Sequence, residues 1–255
     1  VAEAPQDGEH PAAATEDGRL TVSGGGVSDA PTEGARTDGV GAAGFGASGG
    51  PDRSALLIDW GGVLTTNLFV SFHEYCVRNE IDSEQLVAGF RSNPDFRGLL
   101  ISLEKGQIPE PEFERRFAEI LGVGSDGLID GLFAGVQPDL AMVEAVRAAH
   151  DAGIRTALVS NSWGVHRYPH DLFDEIFDGV VISAEVGTRK PSKRMYELGA
   201  ERAGAQLHEC VFVDDLPFNL TPAEELGMAT VHHISAETTI PALEALLAVP
   251  LERQD

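Results

Sequence analysis

The stretch Ala55–Asn67, "ALLIDWGGVLTTN", decides how this chain folds. Ala55, Leu56, Leu57 and Ile58 make a short unbroken apolar run, as expected of a strand buried on both faces. Asp59 stands at its end, followed by Trp60, Gly61 and Gly62. A carboxylate at the tip of a buried strand becomes a functional group when other polar residues are brought to the same edge.

The downstream pattern supplies such residues. "IRTALVSNS" and "ECVFVDD" each read as an apolar strand with a polar tip: Ser160 and Asn161 in the first, Asp214 and Asp215 in the second. "DGVVIS" and "MATVHHIS" are further strands. Between them "DLAMVEAVRAAHDAG", "SKRMYELGAERAG" and "PFNLTPAEELG" carry helical periodicity. Alternation of this kind predicts right-handed βαβ units and a Rossmann-like parallel sheet, an α/β core that binds ligands at the carboxyl ends of its strands. In contrast, residues 67–137 read as helical throughout. "NLFVSFHEYCVRNE" spaces its apolar residues for one helix face, "DSEQLVAGFRS" opens on a capping Asp or Ser, and "PEPEFERRFAEILGV" has Pro and Glu in its first turn and Gly122 after its last. The expected organisation is an α/β core from 54–66 and 138–255, interrupted by a helical cap over 67–137.

Residues 1–53 are rich in Gly, Ala, Pro, Asp and Glu and poor in large apolar side chains. Such a segment buries too little surface to offset its ordering entropy, so a disordered acidic tail is expected. The whole chain has 255 residues, 42% hydrophobic and 23% charged, with a net charge of −23. That charge argues against a general nucleic-acid binder and against anionic membrane surfaces. It leaves open a small phosphate ester held by local charge and a metal. No apolar run reaches transmembrane length. Cys76 and Cys210 have no metal-site or disulfide-framework spacing, so a cytoplasmic location is expected.

Asp59, Asp214 and Asp215 would repel one another if their strands were neighbours, unless a hard divalent cation joined them. Ser160 and Asn161 offer hydroxyl, amide and backbone donors for a phosphoryl oxygen. "TRKPS" sets Lys190 before Pro191, where it would neutralise phosphoryl charge and hold a carboxylate.

In this order the motifs resemble those of the haloacid dehalogenase-like (HAD) hydrolase superfamily, over about residues 54–235. The first motif of that family is D-x-D-G-x-x, and here reads "DWGGVL"; "LVSNS", "EVGTRKPSKRMY" and "VFVDD" match the others. "DDLPFNLTPAEELGM" resembles the helix that follows the last motif, with Asn219, Ala223 and Gly227 four apart. A subgroup carries a small helical cap where residues 67–137 stand. The resemblance implies a phosphohydrolase in which Asp59 is the nucleophile. It also implies that Mg2+ is held by Asp59, the Gly61 carbonyl and one or both of Asp214 and Asp215, and that Ser160 and Lys190 hold the phosphoryl oxygens of a small phosphorylated substrate.

The sequence departs from the family at Gly61, where phosphatases have a second aspartate that moves the leaving-group proton. Three readings follow: a phosphatase whose leaving group needs little acid or takes it from His73, His166 or His170; a 2-haloacid dehalogenase; or a binding module that has lost turnover. The intact acidic pair favours the first. Phe69, Phe72, Tyr75, Phe90, Phe96, Arg91 and Arg97 are candidate pocket residues, although most of the aromatics are expected to pack the cap's own core. Trp60 is read as packing, and Trp163 as either packing or facing substrate.

Overall fold

The computed structural model describes residues 53–251. The tail expected over 1–53 lies outside them except for Arg53, whose guanidinium donates to the carbonyls of His208, Cys210 and Gly227. The side chains of Phe90 and Arg91 are also outside the described set.

Strands β1 (Ala55–Ile58), β2 (Arg155–Ser160), β3 (Gly179–Ile182), β4 (Cys210–Asp214) and β5 (Ala229–His232) form one parallel sheet in the order β3-β2-β1-β4-β5. The central strand is β1, and its four residues are fully buried. Leu56 and Ile58 point to one face, into a core with Met142 and Val146 of α6 (Leu140–Asp151), Phe173 of α7 (His170–Ile176) and Leu243 of α11 (Ala236–Leu247). Ala55 and Leu57 point to the other, against Met195 and Tyr196 of α9 (Lys193–Ala203) and Ala223 of α10 (Pro217–Glu225). This alternation is why the run is apolar without a break: a strand with helices on both sides has no wet face.

Register brings the functional tips together. Ile58 is level with Leu158 on one side and Val213 on the other. Asp59 therefore lies beside the ends of β2 and β4, and its N–H extends the ladder to the Val213 carbonyl at 3.0 Å.

Between β1 and α6 the chain is helical, as expected: α1 (Leu68–Arg78), α2 (Ser83–Ser92), α3 (Pro94–Glu104), α4 (Glu110–Leu121) and α5 (Leu128–Phe133). The caps are local. Asn67 accepts from Phe69 N, Asp82 from Glu84 N and Asn93 from Asp95 and Phe96 N, while Gly122 ends α4 in the left-handed region. These helices share an apolar core of their own, including Phe72, Phe96, Phe113 and Phe117. The segment leaves and returns at one place. Thr66 N donates to the Gln137 carbonyl at 2.8 Å, Asp139 N to that of Leu64 at 3.0 Å, and Thr65 bridges Pro138.

One expectation is corrected. Asn219 and Ala223 lie buried on α10, but that helix ends at Glu225, and Gly227 is an exposed turn residue at φ +88° leading into β5. After helix and turn, Met228 N bonds back to the Ala223 carbonyl, so Gly227 serves the reversal and not the helix face. Among the described residues no helix is long and apolar enough to cross a membrane.

Gly199 marks where α9 lies closest to the sheet: a Cβ there would stand 2.6 Å from Val159 Cγ2 and 2.8 Å from Leu57 Cδ2. In an exposed helix, Gly→Ala is worth about 1 kcal/mol of stabilisation. Here overpacking, at ~1–3 kcal/mol, opposes it. Gly199→Ala is therefore expected to lower the urea midpoint, and an unchanged or higher midpoint would show that the two strand side chains yield.

Candidate active site

Lys190 is the residue around which the site is arranged. It is fully buried, and its ammonium lies 2.9 Å from Asp59 Oδ1 and 2.7 Å from Asp214 Oδ2. Burial weakens its charged form, but the Asp214 and Asp59 carboxylates outweigh this and hold its pKa above the ordinary lysine value. Asp59 is held by two bonds to one oxygen, since Trp60 N also donates to Oδ1 at 2.8 Å. Burial pushes the Asp59 carboxyl up to about 6 against the pull of Lys190. Asp214 is the most thoroughly satisfied of the acids. Oδ1 accepts from Leu216 N at 2.9 Å and Asn219 Nδ2 at 3.0 Å, and Oδ2 accepts from Lys190 and from Asn219 Nδ2 at 3.1 Å.

Asp215 is different. Its Oδ1 is buried and has no hydrogen-bond partner. Burial first, then Asp59 and Asp214, raises its carboxyl to about 7. Gly62 makes room for it: a Cβ at Gly62, which sits at φ +78°, would lie 2.6 Å from Asp215 Oδ2. Asp59, Asp214 and Asp215 each offer an oxygen, and all of these atoms lie within 4.8 Å of one another. Three carboxylates thus face one ammonium, with an orphaned oxygen among them. This donor set suits a hard cation with oxygen ligands, such as Mg2+.

Ser160 ends β2 and is buried. Tyr168 OH donates to its Oγ at 3.0 Å, which leaves the serine's own hydrogen to donate elsewhere. Asn161 has another task as well. Its Oδ1 accepts from Lys190 N at 2.8 Å and its Nδ2 donates to the Lys190 carbonyl at 3.2 Å. The amide therefore clamps the lysine's main chain, just before the cis peptide to Pro191. Of the donors expected at Asn161, the clamp takes one amide hydrogen and leaves the second and the backbone N–H.

A cavity of about 460 Å3 borders the cluster at Gly61, Ser160 and Asn161. Trp60, Leu68, Phe133, Val136, Trp163 and Tyr168 supply its apolar walls. Trp60 packs edge-on against Phe173 at 5.1 Å, so it is both packing and wall. Trp163 likewise does both: its ring lies 5.5–5.8 Å from Phe72, Phe133 and Phe113, anchoring the β2 loop in the helical segment. Arg167 stands at the rim over the Phe133 ring, ion-paired with Glu110 and with Asp130 at 2.8 Å. His166 lines the same cavity. His170 is exposed, with Nε2 3.2 Å from the Val165 carbonyl. His73 is not brought to this cluster: it is exposed and lines a separate cavity with Phe69, Phe72 and Leu86.

Sequence reasoning missed Tyr168 and the role of Asn219. A polar Asn on the buried face of α10, five residues after Asp214, was a usable signal. Nothing in the spacing marks Tyr168.

Residues 54–227 match the family model of haloacid dehalogenase-like hydrolases. The chain is 30% identical over 216 residues to mouse (Mus musculus) acyl-CoA dehydrogenase family member 10, covering 80% of this chain and 20% of that protein. It thus spans about a fifth of that relative's length. It is 28% identical over 116 residues to the sesquiterpene phosphatase of Aspergillus oryzae, 44% of this chain and 59% of that one. Among solved structures, a HAD family enzyme from Bacteroides thetaiotaomicron, in complex with magnesium and inorganic phosphate, superposes with a TM-score of 0.53 at 26% identity, covering 70% of this chain and 92% of the other. With its family match spanning most of the described residues, over the sheet and the strand-tip cluster alike, the chain belongs to the haloacid dehalogenase-like hydrolases.

Proposed function

We propose that this hydrolase is a Mg2+-dependent phosphatase in which Asp59 is the nucleophile and an organic phosphate with an apolar body is the substrate. The observation that carries this reading is the buried Asp59–Lys190–Asp214 array beside the unpartnered Asp215 oxygen. The HAD family enzyme that binds magnesium and inorganic phosphate, and the sesquiterpene phosphatase, support it as relatives.

Asp59, Asp215, the Gly61 carbonyl and, within reach, Asp214 would hold Mg2+, which when bound offsets charge on the phosphoryl group. Asp59 attacks phosphorus as the bond to the leaving oxygen breaks, and water then cleaves the aspartyl-phosphate to release phosphate and restore the carboxylate. Ser160 donates its remaining hydrogen to one phosphoryl oxygen, and the Lys190 ammonium faces another. Helices of 67–137 act as a cap that keeps water from the core of 54–66 and 138–255. The leaving group occupies the cavity walled by Trp60, Leu68, Phe133 and Trp163. The charges at that cavity's rim are already paired, Arg167 with Glu110 and Asp130, which favours a neutral apolar body over a second anionic group. Cys76 and Cys210 are both buried free thiols, which accords with a reducing cytoplasm.

Gly61 carries no acid, so the substrates handled best are those whose leaving group departs with little protonation. The backbone there does not need glycine, and an added Cβ would stand 3.0 Å from the mobile end of Leu68. Gly61→Asp is expected to raise kcat on alkyl phosphates by tenfold or more and to change aryl phosphates far less, because general-acid help is worth ~10²–10⁴-fold where it limits. Equal effects on both classes would show that proton delivery is not limiting.

Phosphate release from an aryl phosphate should fall to background in EDTA and in Asp59→Asn, with the far-ultraviolet circular dichroism of the variant unchanged. Activity retained by Asp59→Asn removes the covalent mechanism. Halide release from a 2-haloacid that ignores EDTA would move the chain to dehalogenase chemistry instead.

A further inference from the structure

The C-terminal end of α3 reaches from the helical segment to the loop that carries Lys190. Glu104, the last residue of that helix, is a buried acid, 4% exposed, and it ion-pairs with Arg189, the residue immediately before Lys190. Arg189 is its charge partner, in an ion pair made without an aligned hydrogen bond, since Glu104 Oε2 and Arg189 Nε have no hydrogen-bond partner. Burial raises the Glu104 carboxyl to about 7; Arg189 and then Lys190 pull it back, and Asp59 pushes it up, so it shares the electrostatic field of the cluster.

The seat around this pair is built from both sides. Ser183 Oγ, at the start of α8 (Ser183–Val186), donates to the Glu104 carbonyl at 2.5 Å and accepts from Ser162 N at 2.9 Å. Gly106, at φ +66°, lies so close that a Cβ would stand 2.4 Å from the Ala184 carbonyl oxygen. The end of α3 is therefore docked on the loops after β2 and after β3. Lys190 is then gripped at two successive points: its own N–H and carbonyl by the Asn161 amide, and its neighbour's guanidinium by Glu104. The first grip belongs to the core. The second comes from the inserted helices.

We propose that Glu104 is a positioning residue that acts through Arg189 on Lys190, so that seating of the α3 end on the core sets the lysine that faces the phosphoryl group. This rests on the reading of Lys190 given under the proposed function. Neither residue lines the cavity beside the cluster; the pair couples the helical segment to Lys190. Loss of the pair frees the Arg189 side chain and loosens the loop, and a displacement of about 1 Å at such a group costs ~10²-fold in rate.

The test uses the full chain with Mg2+ and an aryl phosphate. Glu104→Gln keeps the shape and removes the charge. It should lower kcat by 10–100-fold while KM stays within about twofold. Arg189→Gln should do the same, the double variant should be no worse than either single one, and Arg189→Lys should recover part of the loss. Hydrogen exchange of residues 187–192 should speed up in Glu104→Gln while that of the strand at 210–214 does not. Lower melting temperature with unchanged kcat, or losses that add in the double variant, would overturn the proposal, because a merely structural pair behaves in that way. If the wild-type chain releases no phosphate, the proposed function fails, and the exchange experiment still decides the coupling: faster exchange at 187–192 supports it and unchanged exchange overturns it.

Discussion

Three carboxylates and one ammonium meet at the tips of the central strands, Asp59, Asp214 and Lys190 buried and Asp215 partly so, and the rest of the site is arranged around this imbalance. Removed from water, each charge needs a partner. Lys190 supplies one between Asp59 and Asp214. Asn219 and the Leu216 N–H complete Asp214 so fully that it behaves as a fixed anchor for the lysine. What is left over is Asp215, with an oxygen that nothing in the described protein satisfies. That leftover oxygen, among three carboxylate groups, is the feature on which the proposed cation site rests.

The architecture was legible in the sequence wherever one physical rule acted alone. The central strand β1 is an unbroken apolar run closed by a polar residue, because burial on both faces admits nothing else, and the sheet grows less buried toward β3 and β5 at its edges. The convergence of Asp59, Ser160 and Asp214 followed from parallel pairing, since parallel strands present their carboxyl ends together. Legibility stopped where a side chain's partner was set by packing between distant elements. Asn161 reads as a phosphate donor beside Ser160, yet its amide spans to the Lys190 backbone, twenty-nine residues on. Tyr168 reads as one more aromatic, and its hydroxyl decides which way the Ser160 hydrogen points. Glu104 carries no signal in the sequence, and its meaning depends on Arg189. Gly227 failed for a simpler reason: a four-residue spacing does not reveal that the helix has already ended.

The inserted helices are held to the core by contacts of different character. The two connecting strands of chain run side by side at Thr65 and Pro138, which fixes the point of attachment and little else. Trp163 drives an aromatic ring from the core into the helical segment's own apolar cluster. Glu110 and Asp130 reach the other way, to Arg167. Gly164, at φ +129°, leaves the space in which the Glu110 carboxylate sits, as a Cβ there would meet Glu110 Oε2 at 2.1 Å. Aromatic burial is non-directional and tolerates sliding, whereas the half-buried Arg167–Glu110 pair is directional. Together they hold the helical segment against the loops that follow β1 and β2.

The glycine at position 61 and the apolar cavity belong to the same solution. A carboxylate there would become the fourth in a region where Asp59 and Asp215 are already raised toward neutral pH by burial. It would be pushed up in turn, which suits a proton donor in the proposed mechanism, while its charge would raise Asp59 further. With glycine, the adjoining space goes to Leu68, which continues the apolar wall formed by Trp60, Phe133 and Val136. Under the proposed function, the site exchanges proton delivery for contact with the leaving group's body. Binding energy from that body is then available to orient the phosphoryl group against Asp59, and it takes on part of the work that an acid would otherwise do.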